Sequence, residues 1–290
     1  MTSSTAHHGA GIRIGFQRNT PPFSYSPPAG PSAADPSAAE FRPIGYSVDL
    51  ARLVLARIHG GVHLVPPVEP VEVTSTTREA LLTEGRIDIE CGSTTITEAR
   101  LQRYAFSRPI FRTSHRIALK GRPGVPPAPG LRVVGIQGST SQAALEGHPD
   151  LGFEYTFVGV PSIGAARDAF LHDDRIGALV ADEVILHSLL RGGAPAADVH
   201  LLDVRLGGED YGFLLRKDDR EFLRAVDTAL EEVFDSDAYP ELIRSWFCEE
   251  LPGLGFGLEM DPEGDSFVPS GGRRNSERFP APCGGRASGT

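Results

Sequence analysis

The chain has 290 residues, of which 40% are hydrophobic and 23% charged, and its formal net charge at pH 7 is −10. This composition is typical of a soluble globular protein long enough for two domains. The negative charge excludes a nucleic-acid partner, because binding to a phosphate backbone rests on lysine and arginine displacing counterions. A membrane-spanning helix is also excluded, since no run of roughly 18 apolar residues is present.

Segments without regular structure are predicted near both ends of the sequence. Residues 1–11 are small and polar, so we predict a flexible N-terminus, and they lack the basic patch and apolar stretch of a signal peptide. A stretch rich in proline, alanine and serine predicts a loop over residues 26–39. From Gly253 onward the apolar periodicity stops, and we predict a disordered tail over residues 249–290.

The cysteines and histidines give no metal-binding pattern. The odd number of cysteines cannot all pair within one molecule, and the sequence leaves open whether Cys91 and Cys248 pair. His59 and His63 have a four-residue spacing, but the two glycines between them argue against a helical metal face. We therefore predict neither a metal site nor a cofactor.

Short apolar runs alternate with amphipathic patterns along the middle of the chain. Strands are predicted over residues 12–16, 62–66, 87–90, 116–120, 132–136, 177–181 and 212–216. Helices are predicted over residues 47–58, 76–85, 97–105, 141–147, 164–173, 182–192 and 220–236. The alternation predicts an α/β fold with mainly parallel sheets, in which a ligand would bind beyond the carboxyl ends of the strands.

The stretch "ECGSTTITEAR", residues 90–100, places hydroxyl residues between a predicted strand and a predicted helix. Thr95 and Glu98 have the spacing of a capping box, which puts the hydroxyls at a helix N-terminus, where free N–H groups and the dipole favour an anion. A cation gains nothing from the dipole in the first turns, so a bound carboxylate would explain the position of Arg100. A surface arginine after an ordinary capped helix explains the pattern equally well.

A second junction of the same type is "QGSTSQ", residues 137–142, where Ser139 and Gln142 have the capping-box spacing. The loop from Ser93 to Thr95 and the loop from Ser139 to Ser141 could face one small anion from opposite sides. Each signal alone is weak, because capped helices after strands are common.

A third junction is "VTSTTREALL", residues 73–82, where Thr76 and Glu79 give another capping-box spacing. Arg78 again lies in the first turn of the predicted helix, so Ser75 and Arg78 could hold a second anionic group. A solvated arginine is the simpler interpretation of this stretch by itself.

A fourth junction, "GALVADEVIL", ends a buried strand with Asp182 and Glu183. An acid at this point could meet a cation, although simple capping of the next helix is the alternative, since aspartate is a preferred N-cap residue. Together, an anion clamp at Arg100 and an opposing acid at Asp182 would suit the two ends of an amino-acid zwitterion.

Further motifs extend this pattern from about Ile12 to Phe247. In chain order they are "PPFSY", "GYSVDLA", "EGRIDIECGSTTITEARLQRYAFSRPIF", "VVGIQGSTSQ", "ALVADE", "EDYGFLLRKDD" and "AYPELIRSWF". In this order they resemble the periplasmic amino-acid-binding proteins of ABC transporters, the solute-binding protein family 3. "ECGSTT", "VTSTTR" and "YGFLLRKDD" most resemble its glutamate/aspartate-binding members.

The resemblance implies a role for each matching residue. The α-carboxylate of the ligand would be bound by Arg100, Thr95 and Thr140, its ammonium by Ser93 and Asp182, and an acidic side chain by Ser75 and Arg78. The acidic subgroup has a further arginine where this chain has Gln17, with Arg18 one residue later, and we include Arg18 in the predicted site. The subgroup also has a histidine where this chain has Gly164, which weakens the prediction of an acidic ligand.

The resemblance also implies a fold of two α/β lobes, the type II periplasmic-binding-protein-like fold. We predict lobe 1 over residues 12–116 plus 217–248 and lobe 2 over residues 117–216, with crossing hinge strands at about Arg116–Lys120 and Gly212–Arg216. The lobes would close over the ligand. The expected partners are the permease subunits of an ABC transporter, the expected state is a monomer, and the expected location is periplasmic or otherwise extracytoplasmic.

Two other function classes remain open from the sequence. An enzyme on the same fold is one, because some relatives are dehydratases acting on cyclic amino acids such as arogenate. Residues 160–164 read "VPSIG" and lack the first glycine of a serine elbow, and no phosphate-binding loop or dinucleotide fingerprint appears. We therefore expect a binding protein rather than an enzyme. A sensory module read by a membrane partner is the other alternative.

Overall fold

The computed structural model describes residues 11–27, 41–148, 151–191 and 199–258. The predictions for residues 1–10, for residues 28–39 of the loop and for residues 259–290 of the tail lie outside these ranges. In the described part, two mixed sheets flanked by helices build two lobes, as the predicted fold class requires. No helix within the described ranges is both long enough and apolar enough to cross a membrane.

The first lobe is built on a five-stranded sheet. Its strands, in spatial order, are β4 (Val68–Val73), β1 (Ile12–Gln17), β5 (Ile89–Glu90), β13 (Leu214–Arg216) and β6 (Tyr104–Phe106). Strand β1 runs parallel to β4 and β5, whereas β13 runs antiparallel to its two neighbours. The helices of this lobe are α1 (Tyr46–Ile58), α2 (Arg78–Thr83), α3 (Glu98–Leu101), α7 (Arg220–Phe234) and α8 (Ala238–Ile243).

Two predicted elements of this lobe are wrong. Val62–Leu64 forms a 3₁₀ turn after two positive-φ glycines, and the strand expected at residues 62–66 begins only at Val68. The helix expected over residues 97–105 ends at Leu101, because Tyr104–Phe106 pairs with β13 instead. In both cases the apolar run is too short to show a period, so its pattern cannot separate a strand from a helical turn.

The second lobe is built on the strands β11 (Val199–Leu201), β7 (Phe111–Lys120), β10 (Ala178–Asp182), β8 (Leu131–Ile136) and β9 (Tyr155–Val160), in that spatial order. Strand β8 is parallel to β9 and β10, whereas β7 is antiparallel to β10 and β11. The helices of this lobe are α4 (Thr140–Gly147), α5 (Ile163–His172) and α6 (Glu183–Arg191).

Two strand segments cross between the lobes, and they lie earlier in the chain than predicted. Strand β12 (Gly208–Tyr211) pairs with the first part of β7, from Phe111 to Ser114. The segments predicted as crossings belong to the lobes themselves: Arg116–Lys120 pairs with β10 and β11, and Leu214–Arg216 pairs with β5 and β6. The sequence gives no sign of the change of partner, because β7 is one continuous, largely buried strand of 10 residues.

Buried aromatic rings surround the crossing strands. Phe111 and Tyr211 are register partners, and the Phe23 ring meets both edge-on, with centroids 4.9 and 5.2 Å away. Tyr46 and Phe247 complete the cluster, and the Tyr46 hydroxyl donates to the Ile110 carbonyl at 2.7 Å. The crossing is therefore supported by rigid, fully packed side chains of the first lobe.

The chain continues beyond the last helical turn in a short packed segment, residues 249–258. Glu250 and Gly257 form a bridge, and the side chains of Leu251 and Leu258 are buried. The Tyr25 hydroxyl donates to the Pro252 carbonyl at 3.0 Å in the first lobe. Disorder from residue 249 onward is therefore a wrong prediction for these ten residues.

The thiol of Cys91 is free and buried at the end of β5, and burial raises its pKa well above the usual value. Cys248, by contrast, is disulfide-bonded. The two cysteines therefore do not pair with each other, which answers the question that the sequence left open.

Candidate functional site

A cavity of about 460 Å³ lies between the lobes, at the carboxyl ends of strands from both sheets. Its lining includes every side chain that the sequence singled out as ligand-binding: Arg18, Ser75, Arg78, Ser93, Thr95, Arg100, Thr140 and Asp182. The volume and the dense polar lining suit a small, charged molecule.

Arg100 reaches the cavity from the short helix α3. Its Nη1 donates to the Thr95 carbonyl at 2.9 Å, and its Nε lies 3.3 Å from Glu79 Oε1. The predicted capping box from Thr95 to Glu98 is wrong, because Thr97 is the N-cap and accepts from the Arg100 N–H. A threonine two residues later is thus the cap, which leaves the Thr95 hydroxyl to face the other lobe.

The hydroxyls of Thr95 and Thr140 meet across the cleft at 3.3 Å. Thr140 begins α4, and Ser139 caps this helix by accepting from the Gln142 N–H at 3.1 Å, as the sequence predicted. Gly138 precedes the cap with φ 72°, a left-handed conformation that glycine adopts without strain. The two hydroxyl loops therefore do face each other, one from each lobe.

Arg78 lies at the start of α2 and is buried, with 5% of its surface exposed. Thr77 rather than Thr76 precedes the helix, so this predicted capping box is also wrong. Among the described residues, none accepts a hydrogen bond from Arg78 Nε. Burial lowers the pKa of Arg78, and the charge of nearby Glu90 opposes that shift. A buried cation with a spare donor beside a cavity is a site for an anion.

Glu90 lies behind Arg78 at the end of β5 and is fully buried. Its Oε2 accepts from the Thr94 hydroxyl at 2.7 Å, and burial raises its pKa. Gly92 is required beside it, because a Cβ at Gly92 would lie 2.3 Å from Glu90 Oε1. The sequence analysis did not single out Glu90, although it begins the quoted stretch.

Arg18 lines the cavity but is already engaged. Its Nε and Nη2 donate to Glu72 Oε2 at 2.9 and 2.6 Å, and its guanidinium lies 4.9 Å from the Phe41 ring centroid. Gln17, which replaces the arginine of the acidic subgroup, accepts from the Thr20 hydroxyl at 2.6 Å. At Gly164, where that subgroup has a histidine, a Cβ would lie 3.5 Å from Asn19 Nδ2. The cavity wall thus carries the Gln17 amide at the position where the acidic subgroup has an arginine.

Asp182 ends β10 and receives donors from three directions. Its Oδ1 lies 2.7 Å from His115 Nδ1 and 3.4 Å from the Ser141 hydroxyl, and its Oδ2 accepts from the Tyr211 hydroxyl. These contacts fix the carboxylate at the cavity wall, where a ligand ammonium could reach it.

Two further residues lie behind Asp182 and were not predicted from the sequence, namely His115 and Glu209. His115 Nε2 lies 2.8 Å from Glu209 Oε2, and Glu209 Oε1 accepts from the Thr95 hydroxyl at 2.7 Å. Burial alone would lower the pKa of His115, but its hydrogen bonds to Asp182 and Glu209, with their charges, raise it to about 10. A histidine directly before the predicted strand at residues 116–120 and an acid directly before "DYG" were the available signals.

The donor atoms of His115, Asp182 and Glu209 lie within 4.8 Å of one another, so the three residues could in principle offer ligands to a metal ion. Each imidazole nitrogen faces a different carboxylate, however. That arrangement suits an imidazolium with two N–H donors, whereas one ion could use only one of the ring nitrogens.

The sequence model of a protein family, the bacterial extracellular solute-binding proteins, family 3, matches residues 12–249 of the chain. The chain belongs to this family. Among curated members, it is similar to the L-glutamate/L-aspartate-binding protein of Pseudomonas aeruginosa, with 28% identity over 86% of this chain and 80% of that protein. It is also similar to the ABC transporter glutamine-binding protein GlnH of Bacillus subtilis, with 26% identity over 74% of this chain and 76% of that protein.

Solved structures of the same fold include an ancestral amino acid-binding protein that is described as a precursor of cyclohexadienyl dehydratase. The similarity extends over 82% of this chain and 95% of that one, with a TM-score of 0.64 and 24% identity. This family member therefore has the two-lobed periplasmic-binding fold that the sequence predicted.

Proposed function

We propose that this solute-binding protein captures an L-amino acid, with glutamate and aspartate ahead of the others, and delivers it to an ABC transporter. The observation that carries the proposal is the distribution of charge around the cavity. Arg100 with Thr95 and Thr140 would take the α-carboxylate, and Asp182 with Ser93 would take the ammonium. The relative from Pseudomonas aeruginosa, named for glutamate and aspartate, supports the same ligand class.

The side chain of the ligand would lie beside Arg78 and Ser75. Arg78 favours a carboxylate there, since its buried Nε has no partner among the described residues. Glu72 neutralises Arg18, however, and Gln17 and Gly164 supply no charge. We therefore infer weaker discrimination between glutamate and glutamine than a pocket with several free cations would give.

The proposed partners are the permease subunits of an ABC transporter, reached from outside the cytoplasm by a monomer. The family description and the name of the relative GlnH support this setting. A sensory role with the same ligand would use the same cavity, and the genes beside this one would separate the two.

An enzymatic dehydration is the second candidate, because the related ancestral protein is described as a precursor of a dehydratase. In this chain the acid that faces the cavity, Asp182, is held by His115 and Tyr211, which suits a fixed counter-charge better than a proton donor. Incubation with arogenate or prephenate would yield an aromatic product if the protein were such a dehydratase.

Calorimetric titration with each standard L-amino acid tests the proposal. The protein should first be unfolded and refolded under dialysis, so that a co-purified ligand does not mask binding. We expect one ligand per chain, with glutamate and aspartate bound more tightly than glutamine, arginine and leucine. An absence of heat with every amino acid would contradict the proposed function.

A further inference from the structure

A continuous line of hydrogen bonds joins the two ends of the cavity through the crossing strands. It begins at the Thr95 hydroxyl in the first lobe, passes through Glu209 on β12 and His115 on β7, and ends at Asp182 in the second lobe. The donor-to-acceptor distances along it are 2.7, 2.8 and 2.7 Å. Thr95 and Asp182, which are proposed to bind opposite ends of the ligand, are therefore both linked to the buried His115 imidazole by hydrogen bonds, Thr95 through Glu209.

We propose that His115, as an imidazolium, is a positioning residue that offsets the negative charge of Asp182 and Glu209 and fixes Asp182 at the ammonium end of the cavity. Through Glu209, the same imidazolium ties Asp182 to Thr95 at the carboxylate end. This inference rests on the proposed amino-acid ligand, and it assigns to this chain a determinant of affinity that does not contact the ligand.

The charges of the cluster explain why a cation is needed. Two carboxylates lie within 4.8 Å of one imidazole in a buried site, where burial and then the charge of Asp182 raise the pKa of Glu209. An imidazolium between them offsets one of the two negative charges and leaves about −1, which matches one ligand ammonium. Without that cation, the two acids would face each other with no compensating charge.

The other groups around His115 leave this balance intact. Ser141 of α4 lies 3.0 Å from Nδ1, and the buried Tyr211 phenol of β12 has a pKa well above its usual value, so it stays neutral and donates to Asp182. On the opposite face of β7, Arg116 pairs with Glu183 of α6 at 2.7 Å, so these two charges cancel locally. Arg112 of β7 pairs with Asp210 of β12 at 3.2 Å, and the charge of Arg78 acts on Glu209 through space.

The test compares His115→Gln, Glu209→Gln and the double variant His115→Gln/Glu209→Gln with the parent chain. His172→Gln is the matched control, since His172 is an exposed histidine at the end of α5. Affinity for L-glutamate and for L-glutamine is measured by calorimetry from about pH 5.5 to about pH 8, after dialysis against a chelator.

We expect the parent and the His172→Gln control to bind with an affinity that is flat over this range. His115→Gln should lose about tenfold at the acid end and regain affinity as pH rises, because two neighbouring acids with no cation between them take up a proton more readily. The loss should be equal for both ligands, since it acts at the ammonium end. The double variant removes one acid together with the cation and should restore a flat profile.

Several outcomes would overturn this inference. A pH-independent affinity in His115→Gln, or a double variant that is simply worse than either single variant, would mean that His115 only fills space. A zinc ion retained in stoichiometric amount by the parent and lost with His115→Gln would replace the imidazolium by a metal site. Nuclear magnetic resonance of the imidazole nitrogens should show two N–H groups at about pH 8, and a neutral ring there would also overturn it.

The readouts separate this inference from the proposed function. If the parent binds neither amino acid, the proposed function fails, while the imidazole signals still report whether His115 is charged. If the parent binds and His115→Gln behaves identically at every pH, the proposed function stands and the role of His115 as a positioning residue fails.

Discussion

Arg100 and Asp182 are the residues at which the proposed grip on the zwitterion can be tested directly. Each would form a charge-assisted contact with a group common to all amino acids, in the cavity between the two lobes. We predict that Arg100→Ala or Asp182→Ala weakens binding by about 2–5 kcal/mol, and by the same amount for every ligand. Calorimetry with glutamate and glutamine measures this, and parental affinity in either variant would show that the site is misplaced.

Arg78 should determine the preference between acid and amide. Its buried Nε has no partner among the described residues, and a ligand carboxylate would supply one. We predict that Arg78→Met weakens glutamate by about 2–5 kcal/mol but spares glutamine, so that the preference shrinks or inverts. Arg103→Met is the matched control, because the Arg103 side chain is 64% exposed and pairs with Glu79, as Arg100 does. An equal loss for both ligands would mean that Arg78 does not contact the ligand side chain.

His115 should also leave a signature in the pH dependence of stability. Its folded-state pKa of about 10 lies above the ordinary value of 6.5. A raised pKa of this kind stabilises the folded state fully below about pH 6.5, and the contribution disappears as pH rises toward 10. The difference in unfolding free energy between the parent and His115→Gln should therefore shrink from pH 6.5 to pH 10, as measured by urea denaturation. A difference that is constant over this range would contradict the raised pKa.

Residues with a local signature could be found from the sequence, and residues defined by long-range contacts could not. The sequence places Asp182 at the end of a predicted strand and Arg78 and Arg100 in the first turns of predicted helices, where a cation is unexpected. The structure brings all three to one cavity. His115 and Glu209 become neighbours only when β7 and β12 pair across nearly a hundred residues of sequence. Two of the three predicted N-caps were misassigned, by one and by two positions, for a different reason, since several hydroxyls compete within each loop.

Among the elements, the C-terminal segment 249–258 differs most from its prediction. Its composition resembles a linker, yet Leu251 and Leu258 are buried, at 0% and 2% exposure. We predict that Leu251→Ala lowers the free energy of unfolding by about 2–5 kcal/mol, as expected for a buried leucine. Val125→Ala serves as the control, because Val125 is 59% exposed. Equal stability of the two variants would show that the segment does not pack in solution.

The order of strands and helices was largely predictable, whereas the crossing point was not. Each of the two sheets has a parallel part that follows from the alternation of apolar runs and amphipathic patterns. The crossing strands are distinguished only by their partners, and the polar residues in the first half of β7 do not mark where those partners change.

At the scale of the whole molecule, the lobes touch each other beside the cavity. The Ser188 hydroxyl of α6 donates to the Pro21 carbonyl of the first lobe at 2.7 Å, and Arg191 Nη1 of the same helix donates to the Gly257 carbonyl at 2.8 Å. These contacts describe a closed form. We predict that small-angle scattering shows a smaller radius of gyration with saturating glutamate than without it, because an unliganded hinge can open. An unchanged radius would indicate a molecule that stays closed.

A crystal structure of the protein with L-glutamate tests the central claim most directly. The account predicts one molecule in the cavity between the lobes, with its α-carboxylate on Arg100, Thr95 and Thr140 and its ammonium on Asp182. The side-chain carboxylate should accept from Arg78. Glutamate bound elsewhere, or bound with its ammonium away from Asp182, would contradict the account.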